Sequence, residues 1–82
     1  MNTKITVKAQ NGKTLRCVLS NDANLENQLE KMLHADGGGL CVRIEYGEIR
    51  VVDYFHNETV GAFKILSKED TEGTVSLKWT EI

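Results

Sequence analysis

The apolar positions of this chain follow two different periods, and the changes between them mark out its elements. From Thr3 to Ser20 they recur at every second residue, as Ile5, Val7 and Ala9 and then Leu15, Cys17 and Leu19, on either side of Gln10-Asn11-Gly12. Period two belongs to a strand with one buried face, and an Asn-Gly step between two such runs predicts a hairpin. A two-residue Asn11-Gly12 loop would set Val7 opposite Arg16 and mix the faces. A three-residue loop closed by a bulge at Gly12 pairs Val7 with Leu15 and Ile5 with Cys17, so the bulged turn is the expected one.

Between Asn21 and Ala35 the period lengthens. Leu25, Leu29, Met32 and Leu33 fall on one helical face while Glu26, Asn27, Glu30 and Lys31 face away, with Asn21 or Asp22 as the N-cap. Gly37-Gly38-Gly39 stops the helix, and His34 falls in its last turn, where a positive charge suits the dipole. A phosphate-cradling loop leads into a helix N-terminus; this glycine run leaves the opposite end, so it reads as a cap.

Alternation then resumes through Leu40, Val42, Ile44 and Tyr46 and again through Ile49, Val51 and Phe55, with Gly47-Glu48 between. A type II′ turn led by Gly47 pairs Tyr46 with Ile49, Ile44 with Val51 and Glu45 with Arg50. A third run, Val60 to Leu66, is followed by a polar loop from Ser67 to Gly73 and a last strand, Thr74 to Thr80. If sequential strands pair, Leu66 opposes Thr74, Phe63 opposes Leu77, and Trp79 covers Gly61. The expected fold is α+β in the order ββαββββ: an N-terminal hairpin, one amphipathic helix, and a four-stranded antiparallel meander with the helix on one face.

The chain has 82 residues, enough for one domain spanning residues 1–82. A domain of this size buries only roughly 60% of its unfolded surface, so a homodimer is one route to further burial. The net charge of −2 argues against a nucleic-acid partner, which calls for a basic footprint. No apolar run approaches the roughly 18 residues that cross a bilayer, so no membrane partner is expected. Two cysteines, Cys17 and Cys41, are too few for a disulfide framework, and no leader-like segment precedes the first strand; a reducing, cytoplasmic setting is expected.

The residue types that hold metals, namely Cys17, Cys41, His34, His56, Asp36 and Asp53, lack Cys-x-x-Cys or His-x-x-x-His spacing, so no metal or other cofactor is expected. No serine or cysteine is tied to a histidine by pattern, and catalysis is not expected. Asp53 is the exception to the alternation, a carboxylate on the inward side between Val51 and Phe55. With Tyr54 and His56 it could line a polar pocket, which gives the alternative function: a small-ligand or nucleotide binder, or a minor enzyme, at a dimer junction.

The face of the meander away from the helix carries Cys41, Val52, Tyr54, Val60 and Ala62, where a solvated face would be polar. Arg43, Arg50 and Lys64 fringe it, which is how protein interfaces are composed. Glu69, Asp70 and Glu72 in the polar loop would add an acidic rim. The expected function is therefore a small non-catalytic protein–protein interaction module using the sheet's back face or edge. Adaptors, regulators and inhibitors belong to this class, including the inhibitors of host systems carried by phages and mobile elements, a likeness of size and composition only.

Overall fold

The first hairpin forms in the expected register. Strands β1 (Asn2–Lys8) and β2 (Thr14–Ser20) pair antiparallel with Val7 opposite Leu15 and Ile5 opposite Cys17. Gly12 takes φ +87°, the left-handed conformation of a bulged three-residue loop, and its N–H donates to the Ala9 carbonyl at 2.9 Å. This computed structural model describes residues 1–33 and 38–82; the readings for His34, Ala35, Asp36 and Gly37 lie outside the described residues.

Helix α1 (Leu25–Met32) starts later than the sequence pattern suggests. Its N-cap is Asn24, neither Asn21 nor Asp22: the Asn24 side chain accepts from the Asn27 N–H at 3.0 Å. Residues 21–23 are instead turn, held to the β2 end by Gln28. That buried side chain accepts from the Ser20 N–H and donates to the Ser20 carbonyl, each at 2.9 Å, imitating a strand neighbour.

Strands β3 (Leu40–Glu45) and β4 (Glu48–Asp53) form the second hairpin, but its turn is Tyr46-Gly47. Both residues are left-handed, φ +53° and +69°, the signature of a type I′ turn, in which glycine belongs at the second position. The expected type II′ turn placed it first. Ile44 consequently faces Ile49, Glu45 faces Glu48 and Arg43 faces Arg50. The offset is two residues, so the side chains within β3 and β4 keep the faces assigned to them, whereas Tyr46, expected inward, lies in the turn and is exposed.

The larger difference concerns the end of the chain. Strand β5 runs from Glu58 to Thr71, absorbing most of the polar segment read as a loop, and strand β6 (Ser76–Glu81) does not pair with it. The sheet order is β3-β4-β5-β1-β2-β6, antiparallel throughout. The N-terminal part of β5 lies against β4, and its C-terminal part against β1, with Thr3 opposite Asp70 and Lys4 opposite Glu69. Because β1 already occupies that edge, the chain crosses the ends of β1 and β2 to reach β2's free side, and the Asn2 side-chain amide donates to the Gly73 carbonyl at 2.8 Å on the way.

The expected pairs of Leu66 with Thr74 and Phe63 with Leu77 are therefore absent, and Trp79 does not cover Gly61, whose neighbour is Val51. Trp79 stacks instead on Phe63, ring centroids 5.7 Å apart, across a sheet in which their strands are separated by β1 and β2. In a flat sheet three strand spacings amount to about 14 Å, so this stack requires a strongly curled one. Helix α1 lies in the hollow and touches β2 and both edge strands, β3 and β6. Ile5, Val7, Cys17, Leu19, Leu29, Val42 and Ile49 fill the space between as one buried cluster.

Candidate functional site

The strand pairings place Arg43, Arg50, Ala62 and Lys64 together on the convex face, opposite the helix, as the alternation expects. Cys41 and Val52, directly paired, share it. The face is less apolar than the sequence suggests. Val52 is only 4% exposed, and Cys41 and Ala62 are half-buried. Arg50 is held among neighbours: Glu45 at 3.7 Å, Glu48 at 3.8 Å, and the Tyr46 ring, its guanidinium carbon 5.4 Å from the centroid.

One group of exposed apolar side chains lies at one end of the β3–β4–β5 meander, apart from Tyr46, Leu66 and Leu77, which are exposed elsewhere. Tyr54 and Phe55, in the β4–β5 loop, are 67% and 78% exposed, with Val60 and Leu40 exposed nearby in the register. Val60 sits at a bulge of β5 opposite the Val51–Val52 step. The alternation assigned Phe55 to the interior; the strand ends at Asp53, so the alternation no longer governs the residues that follow. Phe55 and Leu40 are the residues that sequence reasoning missed. The signal that could have found them is Asp53 followed by Tyr-Phe-His-Asn, an Asx-type loop start.

Asp53 holds that loop. Its Oδ1 accepts from the Phe55 N–H at 3.0 Å and the His56 N–H at 3.2 Å, while Oδ2 lies 2.8 Å from the His56 Nδ1. The bond with the His56 side chain is the main reason its carboxyl titrates below the usual range. From the other side the Tyr54 N–H donates to the Gly39 carbonyl at 2.7 Å. Gly39, at φ +81°, presents a bare Cα to Phe55: a Cβ there would lie 2.5 Å from the ring. The Tyr54 and Phe55 rings meet edge to face, centroids 5.8 Å apart.

Of the alternative pocket, Asp53 and His56 are joined and Tyr54 points its ring to Phe55 rather than to them. The Asp53 carboxylate is committed to the loop backbone, and no cavity is found among the described residues. Glu69 and Asp70 belong to β5 rather than to a loop. Lying next to each other along the strand, they fall on opposite faces, Glu69 convex and Asp70 concave, and Glu72 follows in the crossover. The three carboxylates do not form one rim. Cys17 is buried, which pushes its thiol up to about 12, and Cys41 lies on the opposite face. No helix among the described residues is long and apolar enough to cross a membrane. Comparison with known proteins returns no matching family, no matching curated protein and no matching solved structure.

Proposed function

We propose that the chain is a non-catalytic protein-binding module, an adaptor, regulator or inhibitor, that seats Tyr54 and Phe55 in a partner. The observation that carries this reading is that both aromatics are exposed on a loop whose backbone is fixed by Asp53 and Gly39. Aromatic side chains dominate interface energetics, and a loop already ordered loses little entropy when it docks. The adjoining convex face, with Arg43, Arg50 and Lys64 around half-buried Ala62, supplies the polar surround that such anchors use. Both cysteines are free, which suits a reducing compartment such as the cytoplasm.

The test is a photo-reactive phenylalanine analogue at position 55, followed by identification of the adduct and reconstitution with the purified partner. Tyr54→Asp/Phe55→Asp is expected to weaken that complex by at least about 2 kcal/mol, roughly 30-fold in Kd, with an unchanged melting temperature. Equal affinity of the variant and the parent removes the reading. A homodimer through the same loop is the competing occupant, and sedimentation of the purified protein distinguishes it.

A further inference from the structure

We infer that the convex face of the sheet docks an acidic, extended segment of a partner protein; the inference rests on the protein-binding reading and names the chemistry it meets beyond the aromatic loop. The chain carries more carboxylates than lysines and arginines, yet the pairings put most of its cations on this one face. Arg43 faces Arg50 across β3 and β4, and Lys64 faces Lys8 across β5 and β1. On β2, Arg16 lies on the same side, its Nε donating to the Thr6 hydroxyl at 3.3 Å. Like charges directly opposite each other on a sheet oppose its pairing; Glu45 and Glu48 offset this at Arg50, and Glu48 also lies opposite Lys64, which leaves Arg43 and Lys8 to be compensated from outside.

Ion pairing on this face centres on Arg50, which Glu45 and Glu48 hold. Lys8, Arg16, Arg43 and Lys64 are exposed and form no ion pair among the described residues. Of the carboxylates on this face Glu45 and Glu48 are held by Arg50 and Glu69 lies opposite Lys4, while Glu26 and Glu30 serve the edge of β3, Asp53 its loop and Glu81 Lys13. From β3 across to β2 is four strand spacings, about 19 Å, which an extended peptide of about six residues spans.

The same face is poorly made for nucleic acid. Among its cations it offers no free stacking platform: Tyr46 already lies under Arg50, and Tyr54 and Phe55 stand in the β4–β5 loop at one end of the face rather than along the stripe. A longer polyanion would also run past the stripe onto a molecule of net charge −2, whereas a short acidic segment meets only the local field, screened beyond about 8 Å at physiological salt.

The experiment uses the full chain and a fluorescein-labelled oligoglutamate peptide, read by anisotropy at two ionic strengths. The parent is expected to bind, more weakly at higher salt, and Lys8→Glu/Arg43→Glu/Lys64→Glu to lose about tenfold or more in affinity. A control that changes the net charge equally off this face, Lys13→Glu/Lys31→Glu/Lys68→Glu, is expected to stay within about twofold of the parent once a long-range offset is allowed for at the higher salt. Circular dichroism melts confirm that each variant folds, and Lys8→Gln/Lys64→Gln gives a milder substitution that is expected to weaken binding by an intermediate amount. Absence of parent binding overturns the inference, as does equal loss in both charge-reversal variants or tighter binding of an oligothymidylate than of oligoglutamate. Tyr54→Ala/Phe55→Ala, which adds no charge beside the face, is expected to keep oligoglutamate binding whatever role the aromatic loop has, so either proposal can fail while the other's readout stands.

Discussion

The Glu26 carboxylate accepts a hydrogen bond from the main-chain N–H of Ile44 at 2.7 Å, so a helical side chain occupies a position that a neighbouring strand would otherwise take. One helical turn on, Glu30 does the same for Val42 at 3.2 Å. Strand β3 is an edge of the sheet, and its outward N–H groups are the kind of template on which sheets aggregate. Glu26→Ala/Glu30→Ala is expected to cost about 1–3 kcal/mol per exposed donor in denaturant titrations and to introduce concentration-dependent association in sedimentation. Glutamine at both sites keeps an acceptor and should stay monodisperse if the parent is.

The Phe63–Trp79 stack supports the curl of the sheet from the side the helix leaves open. Trp79→Ala is expected to destabilise by about 3 kcal/mol or more. Trp79→Phe preserves an aromatic face and removes an indole N–H that has no acceptor among the described residues, so it should cost far less in the same thermal melt.

The two thiols should behave differently. Burial raises the Cys17 thiol to about 12, so it forms essentially no thiolate at neutral pH, while Cys41 is half-buried on the other face. A thiol reagent is expected to modify Cys41 in the native protein and to reach Cys17 only on adding denaturant. Mass spectrometry of the labelled peptides reads both sites.

Acid should loosen the aromatic loop before the core. Asp53 has a depressed carboxyl pKa in the folded chain, so its contribution is present above the unfolded value of about 4 and is lost as pH falls through the folded one. The Phe55 and His56 amide resonances are expected to shift together in that acidic range, and Asp53→Asn should remove the step.

Gly39→Ala tests how tightly the loop is seated. It places a Cβ against the Phe55 ring at a residue with φ +81°, which should displace the ring and cost about 1–2 kcal/mol. The side-chain resonances of Phe55 and the thermal melt check the two effects separately.

What was legible in the sequence is what local periodicity determines: the strand faces, the first hairpin's register, the single helix, and the inward Cys17 with outward Cys41. Ser67 to Thr71 was not legible as strand, because β1 supplies main-chain partners there and no apolar side chain is required. The partner of β6 was not legible either, since Val75, Leu77 and Trp79 alternate equally well against β5 or β2, and only the prior pairing of β1 with β5 decides between them. In the candidate site, Arg43, Arg50 and Lys64 followed from strand phase, whereas Phe55 obeyed the Asp53 loop and left the alternation.

The seam between β1 and β5, with Asn2 opposite Thr71, also sets the order in which the molecule can assemble. During synthesis β1 can find β2 at once, but its second flank stays open until nearly the whole chain has emerged, and β6 can dock only after the crossover is made. Closure therefore depends on contacts between segments far apart in sequence, which slows folding relative to a sheet closed by neighbouring strands and leaves the β1–β2 hairpin without its second flank until β5 has formed.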